Sequence, residues 1–168
     1  MRKVKQYLIR KNINSNQNTI SRFEGNQSLI CILYDQSTEN LIPDLKNQLK
    51  KKFNCKSKDI KSIGTNDSFK HKSSLSYDAF NLKGNIKADF FDEKLLKGCE
   101  LLIVYTKKTN LLLEYLQSVI SKKLQVGLSN NQTINNDICI DIEADKINIF
   151  INELLDYKGK IILSDGKV

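Results

Sequence analysis

Three apolar runs dominate the hydrophobic pattern. Residues 28–34, SLICILY, are apolar on both faces of an extended chain, and residues 101–105, LLIVY, repeat the pattern. A run without alternation predicts a central strand covered on both sides. Residues 124–128, LQVGL, form a shorter run of the same kind, and residues 137–143, DICIDIE, alternate Ile138, Ile140 and Ile142, as a strand with one wet face does. DIKSIG, 59–64, reads as a half-exposed second strand. Helical spacing fills the gaps. Ile42, Leu45, Leu49 and Phe53 recur every three or four residues, with Asn40 as expected N-cap and Pro43 in the first turn, where its missing N–H costs nothing. Leu112, Tyr115, Leu116, Val119 and Ile120 mark a second helix capped by Thr109 or Asn110. A third starts near Ala144, carries Ile147, Phe150, Ile151, Leu154 and Leu155, and is expected to stop at Gly159, leaving the apolar residues 161–163 as an edge.

Strand–helix alternation of this kind predicts a three-layer α/β fold, a mostly parallel sheet covered by helices in the Rossmann-like or flavodoxin-like manner. The connection SNNQTINN is too short for a crossover helix, so LQVGL and DICID are expected to pair antiparallel, making the sheet mixed. Residues 65–91 are polar with isolated Phe69, Tyr77, Phe80 and Leu82; they predict a turn at Lys83-Gly84-Asn85 and a short strand or ordered excursion near 77–82. A short helix around Phe91, Leu95 and Leu96 ends at Gly98. At the amino end, Val4 and Leu8 lie one helical turn apart among Arg2, Lys3, Lys5, Arg10 and Lys11, predicting a short basic helix followed by a polar connector, NINSNQNTIS. The expected division is a basic amino-terminal arm, 1–27, and a single α/β domain, 28–163.

Charge sharpens this picture. The chain of 168 residues has a formal net charge of +8, and all three arginines, Arg2, Arg10 and Arg22, lie in the first 22 residues. Lysine abundance beside Asn and Ile is what an AT-rich genome imposes, but arginine runs against that bias, and its planar fork grips phosphate better than an ammonium does. Residues 1–72 hold 15 basic and 6 acidic residues, whereas residues 73–168 hold 12 and 13. The second cluster, Lys46, Lys50, Lys51, Lys52, Lys56, Lys58 and Lys61, is opposed only by Asp59. Arm and helix together suggest a stripe for a polyanion, with structured RNA or a ribosomal particle first in line. No interleaved aromatics suggest base stacking, so contacts to phosphates alone are expected and no reading of single-strand or DNA sequence. The plainer alternative is a solvated lysine face.

Chemistry beyond charge is sparse. Cys31, Cys55, Cys99 and Cys139 are widely spaced and form no C-x-x-C pair, so they read as thiols in a reducing cytoplasm, and no metal site is expected. The sole histidine, His71, lies between Lys70 and Lys72, where positive neighbours disfavour its protonated form and make it a poor general base. Glycine-rich phosphate loops and the G-x-S-x-G elbow are absent. No catalytic residue and no cofactor is assigned. No apolar run approaches the length of a membrane span, and no signal peptide is expected. An open α/β sheet binds ligands beyond the carboxyl ends of its strands. The candidates there are Asp35, followed by Gln36, Ser37 and Thr38, the group Thr106, Lys107, Lys108 and Thr109, and Ser129, Asn130 and Asn131. A small-molecule or nucleotide-binding enzyme with its site near Asp35 and Thr106 therefore stays open, as does a subunit that meets an acidic protein.

Ile32-Leu33-Tyr34-Asp35 on the first strand, the F-x-x-x-G turn from Phe80 to Gly84, Glu100-Leu101-Leu102-Ile103, Val126-Gly127 and the carboxy-terminal amphipathic helix occur together in this order. Over residues 28–160 the chain resembles a family of small cytoplasmic Bacteroidota proteins known only as a domain of unknown function. The resemblance implies an α/β scaffold and lends no catalytic residues. Glu100 stands where that pattern tends to have Asp, and Leu128 where it tends to have a basic residue.

Overall fold

Each apolar run becomes a strand because its backbone groups can be satisfied only by neighbouring strands once the side chains are buried on both faces. The computed structural model describes residues 2–17, 30–66, 74–87, 98–108, 110–128 and 136–165. They form helix α1 (Arg2–Gln17), strand β1 (Ile30–Asp35), helix α2 (Ile42–Phe53) and strands β2 (Ile60–Thr65), β3 (Ser74–Leu75) and β4 (Cys99–Val104). Helix α3 (Leu111–Val119), strands β5 (Lys122–Gly127) and β6 (Ile138–Cys139) and helix α4 (Ile147–Asp165) follow. The strand order is β3-β2-β1-β4-β5-β6. Every ladder in it is parallel. This is the doubly wound, Rossmann-like order, with its reversal between β1 and β4.

Side-chain alternation sorts the core into two halves. Cys31, Leu33 and Leu102 face one way, onto Ile9 and Ile13 of α1 and Leu112, Leu113 and Leu116 of α3. Ile30, Ile32, Leu101 and Ile103 face the other way, onto Ile42, Leu45 and Leu49 of α2 and Ile147, Phe150, Ile151 and Leu154 of α4. The three layers are thus α1 with α3, the sheet, and α2 with α4. Edge-to-face ring pairs lock each half: Phe80 with Tyr115, centroids 4.9 Å apart, and Tyr105 with Phe150 at 5.1 Å.

Several expectations need correction. The sheet is not mixed, because β6 runs parallel to β5, with Val126 beside Ile138 and Gly127 beside Cys139. A long crossover is needed only when the chain must return to the start of a strand. Here β6 begins level with the end of β5, and Asp137 exchanges two bonds with Gln125, its N–H donating to the Gln125 carbonyl at 2.9 Å and its carboxylate accepting the Gln125 N–H at 2.7 Å. Residues 161–163 are not an edge. α4 runs through Gly159 to Asp165, since an interior glycine weakens a helix by only about 1 kcal/mol relative to alanine. Asn40 does not cap α2; a 3₁₀ turn, Glu39–Leu41, leads directly into it, with Pro43 in the first turn as expected. The excursion near 77–82 is a 3₁₀ turn, Tyr77–Ala79, followed by an antiparallel bridge between Phe80 and Ile86. Gly84 takes φ +76° between them. The helix expected around Phe91–Leu96 lies outside the described residues.

The amino-terminal helix is longer than its basic segment. It continues through NINSNQ to Gln17 because Ile9 and Ile13, one turn apart, are both buried beneath it, 0% and 2% exposed. Val4, one turn before the half-buried Leu8, is 58% exposed. Polar clamps hold the helix flanks. Asn12 Nδ2 donates to the Lys83 carbonyl (3.1 Å) and to Asn85 Oδ1 (3.0 Å), and Asn16 Nδ2 donates to Ser118 Oγ (3.3 Å).

Candidate nucleic-acid interface

The sheet separates the basic arm from Lys46, Lys50, Lys51 and Lys52, because α1 covers one face and α2 the other. Their cations are not equivalent. Lys50, Lys51 and Lys52 occupy the last turn of α2, next to the unsatisfied carbonyls and the negative end of the helix dipole, and Asp44 sits in its first turn. Those three lysines are therefore explained by helix stability alone. Lys46 is partly buried; burial first, and then the Lys61 ammonium, pulls its pKa below the usual lysine range.

α1 is the opposite case. Arg2, Lys3 and Lys5 crowd its first turn, where the dipole is positive, and the helix carries no carboxylate at all. Each such cation costs a few tenths of a kcal/mol, roughly, rather than contributing. Two of them are employed internally: the Arg2 guanidinium lies 4.9 Å from the centroid of the Tyr77 ring, and Lys5 Nζ donates to the Tyr77 carbonyl at 3.2 Å. Lys3, Arg10 and Lys11 point to solvent, and among the described residues none of them forms an ion pair. Arg22 lies outside the described residues.

Beside α1, the turn after Phe80 opens a groove of about 620 Å³ lined by Lys5, Phe80, Asn81, Leu82, Lys83 and Lys87. Its polar lining is cationic or neutral. The turn is built by Asn81, whose side-chain oxygen accepts the N–H groups of Lys83 (2.8 Å) and Asn85 (3.1 Å). Gly84 allows it to close against α1, since a Cβ there would lie 2.8 Å from the Leu8 carbonyl carbon. Lys83 and Lys87 belong to this face and were not singled out from the sequence, because only the turn brings them beside α1. Tyr7, on the outer side of α1, is 68% exposed, and Leu82, at the groove, is 67% exposed.

Asp35–Thr38 and Thr106–Lys108 do converge, at the β1/β4 reversal, but their polar groups are engaged locally, whereas Thr109, Ser129, Asn130 and Asn131 lie outside the described residues. Asp35 Oδ1 accepts from the Ser37 N–H (3.1 Å) and hydroxyl (2.5 Å), and the Thr38 hydroxyl donates to the Tyr105 carbonyl (2.7 Å). Thr106 Oγ1 donates to the Lys108 carbonyl (3.0 Å) and accepts the Lys108 N–H (3.3 Å), and Lys107 Nζ pairs with Glu143 at 2.7 Å. Asn110 caps α3 by accepting the Leu113 N–H (2.9 Å) and donates to Thr65 Oγ1 (3.0 Å). Asp35 and the 106–108 group thus meet in an internally bonded crest, whereas Lys3, Arg10, Lys11, Lys83 and Lys87 remain available on the α1 face. Among the described residues no cluster of three His, Cys, Asp or Glu side chains is placed to hold a metal, and no helix is long and apolar enough to cross a membrane.

The fold defines the class: a doubly wound α/β protein whose first helix is packed onto the sheet. The chain belongs to a family of unknown function, DUF6913, whose sequence pattern matches residues 2–161 and so takes in α1 as well as the sheet. No curated protein and no solved structure matches the chain.

Proposed function

We propose that this protein is a non-enzymatic cytoplasmic module that docks on structured RNA, such as a ribosomal particle, through the outer face of α1 and the adjoining turn at Lys83–Lys87. The observation that carries this reading is a carboxylate-free helix on which Lys3, Arg10 and Lys11 are all exposed and none forms an ion pair among the described residues, Lys3 also standing against the helix dipole. Uncompensated charge of this kind fits a partner that supplies phosphates, with Arg10 positioned for bidentate contact and Lys3, Lys11, Lys83 and Lys87 for point contacts. The α2 lysines, on the other side of the sheet, would add only long-range attraction.

The test is fluorescence anisotropy of the full-length protein with labelled RNA over a salt series. Neutralising about five phosphates predicts a slope of log affinity against log salt of roughly −4. Arg10→Ala lowers that slope by about one, while substituting Lys50, Lys51 and Lys52 together leaves most of the affinity. Absence of binding at low salt refutes the reading. One observation favours a nucleotide-binding enzyme as second reading: Asp35 and Thr106 flank the strand-order reversal where such folds take ligands. A ligand-induced rise in Tm that Asp35→Ala abolishes would select it.

A further inference from the structure

Tyr7 is the one aromatic residue of α1, and it is 68% exposed. On a helix the neighbours of position 7 are positions 3, 4, 10 and 11, with Cβ atoms about 5–6 Å apart. Here those positions are Lys3, Val4, Arg10 and Lys11, all exposed. The ring therefore stands inside a triangle of three cations, one a turn before it and two a turn after it, with Val4 extending its apolar surface. From Lys3 to Lys11 the helix rises about 12 Å. Tyr7 and Val4 together leave a small apolar patch on the surface of α1, and the surrounding charge makes it complementary to an anionic partner. A flat apolar ring flanked on both sides by cations is complementary to one unit: a planar base with a phosphate on either side. A base-paired duplex cannot offer its base face to the ring, so the unit must be unpaired.

We propose that Tyr7 is a stacking platform for an unpaired nucleotide of RNA, with Lys3 on one flanking phosphate and Arg10 and Lys11 on the other. This rests on the RNA-docking reading above and narrows its partner from RNA in general to single-stranded or looped segments. It also departs from the expectation of a purely phosphate-reading stripe.

The experiment compares a mixed-sequence single-stranded RNA oligonucleotide with the blunt duplex of the same sequence, against the wild type, Tyr7→Ala, Tyr7→Phe and Arg10→Ala. Because Tyr7 is exposed, its replacement leaves the fold intact, which circular dichroism verifies. The expected result is that Tyr7→Ala weakens single-strand binding about 5- to 100-fold, Tyr7→Phe retains it, and duplex binding is indifferent to both. The chain has no tryptophan, so Tyr7→Trp installs a single indole whose fluorescence the bound single strand should quench. If Arg10→Ala weakens binding while Tyr7→Ala changes neither RNA and the indole is not quenched, the stacking proposal fails and the phosphate reading stands. If neither RNA binds at low salt, or the protein binds anionic lipid vesicles and no RNA, both fail.

Discussion

Replacing Ile9 by alanine tests whether α1 is a structural part of the domain, on which the design of every binding experiment depends. Ile9 is 0% exposed, packed in the half-core that also holds Ile13, Tyr77, Phe80, Leu112 and Leu116. Removing three buried carbons loses their transfer free energy, about 0.8 kcal/mol each, and leaves a cavity where α1 and α3 meet. The sum is about 3 kcal/mol, a large share of a stability in the usual range of about 5–15 kcal/mol. For a chain of this size each kcal/mol moves the midpoint by about 2–4 °C, so Tm should fall by about 6–12 °C. Urea unfolding followed by circular dichroism, with calorimetry alongside, gives both quantities, and Val4→Ala, at a position 58% exposed, is the control. Equal, sub-kcal/mol effects of the two variants would show that α1 is an appended arm and would overturn the packing described above. The expected outcome means that deleting residues 1–22 would remove part of the core along with any binding face, which is why the tests of function use exposed point substitutions.

Further expectations concern the turn, the cap and the buried thiols. Gly84→Ala combines a left-handed φ of +76° with a Cβ 2.8 Å from the Leu8 backbone, so it should destabilise by about 2 kcal/mol; Gly84→Asn, which tolerates the φ but keeps the clash, should recover only part in the same urea titration. Asn110→Ala removes the α3 cap and should cost about 1 kcal/mol, with Asn110→Asp keeping the bond to the Leu113 N–H and most of the stability. Burial raises the Cys31 thiol pKa well above its ordinary value and that of Cys99 to about 12. Above about pH 8.5 the unfolded chain releases these protons and the native chain does not. Stability is therefore intact below that pH and declines as it rises toward the native value, by about 1.4 kcal/mol per pH unit for each thiol. Urea midpoints between pH 8 and 10 measure the decline, and Cys99→Ala should reduce its slope by that amount; an unchanged slope would mean that Cys99 ionises equally in both states.

Local pattern carried most of the element assignments. The apolar runs that contain Ile30–Tyr34 and Leu101–Val104 read as buried strands from their length and β-branched content, and the spacing of Ile42, Leu45 and Leu49 set α2 because burial period and helical period coincide within a few residues. Assignments failed where the deciding contact was distant. NINSNQ reads as a polar connector until Ile13 meets α3, and the 161–163 run reads as an edge until α4 continues through Gly159. The strand-end group was legible because the rule that ligands gather at strand termini is a rule of chain order, and Asp35 and Thr106 do adjoin one another. The bonds inside each turn, Asp35 with Ser37 and Thr106 with Lys108, are ordinary turn chemistry two residues apart; what was not legible is the bond from Thr38 to the Tyr105 carbonyl and the Lys107–Glu143 pair, which join separate segments.

Charge shows the same division. Composition and order alone determined that this is an α/β chain with an excess of cations in its first 72 residues and an arginine-bearing first helix. Only the tertiary structure decided that α1 and α2 lie on opposite faces of the sheet, that Arg2 and Lys5 brace Tyr77, and that Lys83 and Lys87 join Lys5 along one groove beside α1. Hydrophobic periodicity tells a helix which of its own sides to bury. The side of the sheet on which that helix lands is set by strand order and crossover direction, which no window of neighbouring residues contains.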